Sequence, residues 1–148
     1  MDFCSLGLYL HESGLLGASP DGVAENYTVE IKCPYTYRDS DDLCISYKLP
    51  VQKSQRSLFN YDENEKRWIL NKDHDYFHQI QAQIYFTHKK FSYYFVWTTK
   101  TFKLFRIEKD PNWELHIERL IDFYVNQFVP FIFENPTLLQ VVKSASPE

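Results

Sequence analysis

Cysteine is sparse in this sequence and carries no pairing signature. Cys4, Cys33 and Cys44 are odd in number and include no C-x-x-C pair, which argues against a disulfide framework or a zinc knuckle and leaves reduced, buried thiols as the expectation. Positive charge is also short: 16 Lys and Arg stand against 20 Asp and Glu, for a net charge of -4 and a pI of about 5.7. That is the wrong sign for a chain gripping phosphates by basic side chains alone. The longest greasy run, "FVPFIF", is far too short to span a bilayer. The N-terminal stretch "MDFCSLGLYLHES" has no basic n-region, and His11 and Glu12 break its apolar run. The expectation is therefore no signal peptide, no membrane, and an intracellular protein that is nuclear if eukaryotic. Repeats and low-complexity segments are missing too, and no linker is visible before the last few residues.

What the chain does have is bulk. Apolar residues make up 44% and aromatics 18%, with Phe and Tyr far ahead of Met, and the 24% charged residues are well mixed. At 148 residues this is a one-domain length with enough apolar mass to bury a core. Short strands are expected over 6–11 and 14–19, then a Ser19-Pro20-Asp21-Gly22 turn. "YTVEIKC", 27–33, alternates, with Val29, Ile31 and Cys33 on one face and Thr28, Glu30 and Lys32 on the other. A short helix over 39–49 and a hairpin over 55–70 follow. Residues 74–88 carry Phe77, Ile80 and Ile84 at helical spacing. "SYYFVWTT", 92–99, reads as a strand covered on both faces, and "TFKLFRIE", 101–108, as its neighbour. A helix near 111–129 aligns Trp113, Ile117, Leu120, Ile121, Tyr124 and Phe128, with Pro130 stopping or kinking it. This order predicts an α+β or α/β fold, a mixed four- or five-stranded sheet flanked by helices.

Two carboxylates stand out. A hairpin turning at Glu25-Asn26 sets Val23 opposite Thr28, Gly22 opposite Val29 and Asp21 opposite Glu30. Like charges directly opposed destabilise a sheet, and Lys32, on the same face as Glu30, offsets part of the repulsion. A divalent cation between the acids turns repulsion into binding. Taken singly, Ser-Pro-Asp-Gly is a generic turn and Glu-x-Lys an ion pair on a solvated face. Together, nine residues apart, they point to a metal site. Tyr76, Gln79 and Gln83 share one helical face, while Gln81 points elsewhere. His74 and His78 are spaced as a metal pair but lack a third ligand nearby. Lys48, Lys53 and Arg56, and then Lys89, Lys90, Lys100, Lys103 and Arg106, form two basic segments.

"GASPDG" followed by "VEIKCP" resembles the PD-(D/E)xK nucleases, and most closely the YqaJ viral recombinase family that includes lambda-type exonuclease. Pro20-Asp21 matches the PD and Glu30-Ile31-Lys32 the E-x-K, followed by Cys33-Pro34. Thr36-Tyr37-Arg38-Asp39 is similar to a T-x-R-D that follows. "HDYFHQIQAQ" matches H-x-Y-Y-x-Q-x-Q-x-Q through His74, Tyr76, Gln79, Gln81 and Gln83, with Phe77 in place of the second Tyr. The likeness runs from about Leu8 to Trp97.

The resemblance implies a restriction-endonuclease-like core and a metal-dependent deoxyribonuclease, an exonuclease acting on duplex ends in recombination or repair. It implies that Asp21, Glu30 and the backbone carbonyl of Ile31 ligate one or two Mg²⁺ or Mn²⁺ ions, that Lys32 orients or deprotonates the attacking water, and that Gln79 positions water or phosphate. Ser19, Tyr35, Arg38, Tyr76 and Gln81 are the implied DNA contacts. Implied partners are double-stranded DNA ends, a single-strand annealing protein and further copies of the chain. Family members also carry helices ahead of the SPDG motif, with a further Glu and an Arg. The residues before Asp21 read instead as strand and loop, so the expectation is an N-terminally truncated YqaJ-like nuclease domain over 1–135 and a tail over 136–148. The competing expectation is a catalytically impaired, nuclease-derived module that binds DNA or protein.

Overall fold

Runs of β-branched and aromatic residues broken by Pro-Asp-Gly, Asn and Thr-Lys-Thr punctuation give this chain short strands around one long, glutamine-rich helix. The structure, a computed structural model, describes residues 7–43 and 58–135. In chain order the strands are β1 (Tyr9–Leu10), β2 (Gly17–Ala18), β3 (Gly22–Val23), β4 (Tyr27–Lys32), β5 (Phe59–Asp62), β6 (Arg67–Leu70), β7 (Phe91–Trp97) and β8 (Phe102–Glu108). The helices are α1 (Asp75–Phe86), α2 (Glu114–Phe123) and α3 (Val129–Glu134). The helix expected over 39–49 lies mostly outside the described residues, as do the tail over 136–148, Cys4, Cys44, Lys48, Lys53 and Arg56.

The fold is α+β, a mixed sheet flanked by helices. Its four strands run in the order β3-β4-β7-β8, and β1–β2 and β5–β6 are separate two-stranded hairpins. β4 and β7 are parallel, paired from Tyr27↔Phe91 to Lys32↔Val96. Parallel neighbours need a long crossover, and the chain between them supplies β5, β6 and α1. The expected hairpin register holds, with Gly22↔Val29 and Val23↔Thr28 paired.

α1 has defined ends. At its start the His74 side chain accepts from the Tyr76 backbone N–H at 3.1 Å. At its end His88 takes φ 56°, while the N–H groups of Lys89 and His88 donate to the Ile84 and Tyr85 carbonyls. That is a Schellman closure in which histidine replaces the usual glycine. Phe77, Ile80 and Ile84 of α1 belong to one buried cluster with Tyr94 and Val96 of β7 and Ile107 of β8.

Several expectations are refined or change. β7 is not covered on both faces: Ser92, Tyr94 and Val96 are buried, but Phe91, Tyr93 and Phe95 on the opposite face are only half-buried. Their rings cover one another instead, Tyr27 stacking on Phe91 at 5.4 Å and Phe95 meeting Phe102 at 5.6 Å. Of the two outcomes expected at Pro130, stopping or kinking, the helix does not stop but is locally distorted. The chain passes through a π-helical turn, Tyr124–Phe128, and continues as α3, with Val129 N–H donating to Tyr124 O. The widened turn precedes the proline and lets the helix continue past a residue that has no N–H to donate. Of the expected stripe only Trp113 and Ile117 are buried, and Leu120 and Phe128 are exposed. Cys33, expected inside, is exposed.

Asp110 ties the β8–α2 junction to α1. Its carboxylate caps the turn at Asn112 and takes the Lys72 ammonium at 2.9 Å, while its carbonyl accepts from the Tyr85 hydroxyl at 2.8 Å. The hydrogen bond from Lys72 holds the Asp110 carboxyl below its usual range. Burial pushes the Tyr85 phenol up, and the nearby charges of Glu114 and Asp110 add to that. A depressed carboxyl stabilises the fold above its unfolded value, about 4, and loses that contribution as pH falls through the lower folded value. Lys72→Met therefore lowers the urea midpoint at pH 6, and the gap to wild type closes as both proteins are acidified well below the ordinary carboxylate range, about 4. A gap that persists unchanged at acid pH contradicts the linkage.

Candidate active site

β4 alternates as its sequence requires, but the buried side is the polar one. Glu30 is 1% exposed, whereas Ile31 beside it is 46% exposed. A buried carboxylate needs donors, and α1 supplies them from the face predicted to carry Tyr76, Gln79 and Gln83. Gln79 Nε2 donates to Glu30 Oε1 at 2.7 Å, and Gln83 Nε2 donates to Glu30 Oε2 at 2.7 Å. The Lys32 ammonium pairs with Oε1 as well, and lies over the Tyr76 ring at 5.3 Å from its centre. Hydrogen bonds to a charged group contribute about 1.5–3 kcal/mol each, so three such donors offset much of the cost of desolvating Glu30.

Asp21 reaches the same end of β4 from the opposing strand. Pairing stops at Gly22↔Val29, and the Asp21 side chain then crosses to β4, where Oδ2 accepts from the Ile31 backbone N–H at 2.7 Å. This bond extends the hairpin by one rung and commits one carboxylate oxygen. Asp21 is exposed. The site thus holds two carboxylates and one ammonium, a local excess of negative charge.

The other expected contacts separate into two groups. Tyr35 is 78% exposed, in the turn just past β4, and the Arg38 guanidinium stacks on its ring at 4.0 Å while pairing with Asp39 at 3.3 Å. Ser19 is exposed, and its carbonyl lies 3.4 Å from Gln83 Nε2. Tyr76 is half-buried beneath Lys32. Gln81 is different and corrects the expected DNA contact. It is fully buried, donating to Glu108 O at 2.8 Å and accepting from Asp110 N–H at 2.9 Å. Its amide is consumed in holding α1 to the end of β8. His78 does not form a metal pair with His74. Its Nδ1 accepts from Trp113 Nε1 at 2.9 Å, and His74 Nδ1 is the helix cap. The basic segment at 89–106 is dispersed: Lys89 holds Glu25 O, Lys100 pairs with Asp41, and Arg106 pairs with Glu108 over Phe91.

Gln83 is a functional position to which the resemblance assigns no role. Its signal was present in the spacing, since it stands four residues after Gln79 and so one turn along the same face.

The fold is similar to that of an alkaline exonuclease. The crystal structure of LHK-Exo from Laribacter hongkongensis superposes with a TM-score of 0.61 at 20% identity, and that of LHK-Exo in complex with dAMP with 0.62 at 20%. Each match covers 95% of this chain and 64% of the LHK-Exo chain. No family model and no curated protein matches the chain. LHK-Exo is thus a likeness of fold, and this chain spans a little under two thirds of its length.

The donor set fits a hard divalent cation. Asp21 offers its second carboxylate oxygen, Glu30 a carboxylate held open by amides, and Ile31, next to Glu30 on β4, a backbone carbonyl. Among the described residues no three His, Cys, Asp or Glu side chains cluster as a metal cage. Mg²⁺ suits such a sparse site, because it keeps several waters and takes one or two carboxylates plus substrate phosphate.

Proposed function

We propose that this chain carries the core of a metal-dependent deoxyribonuclease that hydrolyses DNA phosphodiester bonds, as an exonuclease working on duplex ends in recombination or repair. One observation carries the reading: Glu30, Lys32 and Gln79, separated by up to 49 positions, meet at one point, with Asp21 on the neighbouring strand. The likeness to an exonuclease fold supports it, and LHK-Exo has been crystallised with dAMP, a deoxynucleotide of the kind an end-acting nuclease releases.

Asp21, Glu30 and the Ile31 carbonyl would hold one or two Mg²⁺ or Mn²⁺ ions. Such ions, when bound, lower the pKa of water and neutralise phosphate charge, which also answers the chain's acidic balance. Lys32 aims an ammonium at the phosphate, where negative charge grows during attack, and orients the water that attacks. Gln79, half-buried at the mouth of the site, exchanges its bond to Glu30 for one to water or phosphate. Tyr35 offers an exposed ring for a base to stack on, and Arg38 beside it offers a phosphate contact.

The expected result is digestion of linear duplex DNA in Mg²⁺, stopped by EDTA, with covalently closed circles left intact. Cutting of closed circles in the same assay shows an endonuclease. A second reading is favoured by the Lys32–Glu30 pair, which already places a cation on the carboxylate. In that reading the chain is a nuclease-derived module that retains DNA and yields no product at any Mn²⁺ concentration.

A further inference from the structure

Gln83 occupies a position unlike any other polar residue of α1. It is completely buried, and its Nε2 lies between the two acid-bearing segments, 2.7 Å from Glu30 Oε2 and 3.4 Å from the Ser19 carbonyl, two residues before Asp21. Its own amide oxygen, also buried, has no hydrogen-bond partner among the described residues. Turning the amide over would present that oxygen to the Glu30 carboxylate, acceptor against acceptor. The group therefore stays oriented with a buried carbonyl unmet, an arrangement that native proteins rarely retain.

Resting on the metal-site reading above, we propose that Gln83 is a positioning residue: it locks Glu30 Oε2 from the core side so that Oε1 is presented to the ion. The two glutamines divide the work. Gln79 and Lys32 share Oε1 on the half-buried side, where both can exchange partners when ion and phosphate arrive. Gln83 cannot exchange, because among the described residues its donor bonds only the carboxylate and the Ser19 carbonyl. Its contact with Ser19 also sets the SPDG turn against the same carboxylate, so one side chain registers both ligand-bearing segments.

Gln83→Met keeps the length and helix propensity of the side chain and removes both the donor and the unmet acceptor. Loss of a group that orients a metal ligand typically weakens metal binding 10–100-fold. Calorimetric titration of the folded variant with Mn²⁺ is expected to show a Kd raised by roughly that factor. Digestion is then expected to need correspondingly more Mn²⁺. A purely structural role would lower the melting temperature and leave the Mn²⁺ Kd of the folded protein in place. Equal Mn²⁺ affinity in wild type and Gln83→Met overturns the positioning role and leaves the metal site standing. Absence of Mn²⁺ uptake by the wild type overturns the metal site itself, and the positioning role with it. Should Gln83→Met not fold, Gln83→Asn, which withdraws the amide by one methylene, takes its place with the same two outcomes.

Discussion

Lys32→Ala should abolish Mg²⁺-dependent digestion of linear duplex while the protein stays folded. Among the described residues Lys32 is the only cation paired with Glu30, and the Tyr76 ring steadies its ammonium. Removing one preorganised donor from the place where charge develops costs on the order of 10²–10³-fold in rate. The fold is less exposed to the change. Glu30 keeps both glutamine amides, and the Lys32 side chain is 25% exposed, so water can replace the ammonium. Loss of one bond to a charged group removes about 1.5–3 kcal/mol, against the roughly 5–15 kcal/mol that holds a domain together. Rates on end-labelled duplex, read beside circular dichroism melts, check both halves. Equal digestion by wild type and Lys32→Ala sinks the assigned chemistry.

Gln81→Leu is expected to give the opposite pattern, a large loss of stability with DNA affinity unchanged. Gln81 is fully buried and serves two backbone groups, Glu108 O and Asp110 N–H. Leucine fills the space but satisfies neither. Each buried group left unpaired costs about 1–3 kcal/mol, so the variant should lose about 2–6 kcal/mol in all, among the larger effects a single substitution produces. Asp110 also anchors Tyr85 and Lys72, so the loosened junction should free the start of α2 as well. Urea denaturation measures the loss, and filter binding of duplex DNA by the folded variant tests the second half. A drop in DNA affinity without a drop in stability returns Gln81 to the nucleic-acid surface.

Much of the fold was legible because it is local. The register at Gly22↔Val29 follows from the turn and the alternation on either side of it, and α1 follows from Phe77, Ile80 and Ile84 at helical spacing. The contacts of Gln81 were not legible. Helical periodicity says only that Gln81 leaves the face of Gln79. It does not say that the end of β8, 27 residues later, waits on the other side with a carbonyl and an N–H. The coverage of β7 failed for a related reason: an apolar run reports that a strand is greasy, not that a layer packs on each of its faces.

From sequence alone came the partition of β4 into two faces and the grouping of Tyr76, Gln79 and Gln83 on one side of a helix, since both are set by backbone periods of two and 3.6 residues. Which face of β4 turns inward was decided only in three dimensions. Hydrophobicity favours Val29 and Ile31 for burial, yet Glu30 is the residue enclosed. Two amides and an ammonium, brought from elsewhere along the chain, supply the hydrogen bonds that a buried carboxylate requires, and periodicity within one strand carries no information about them.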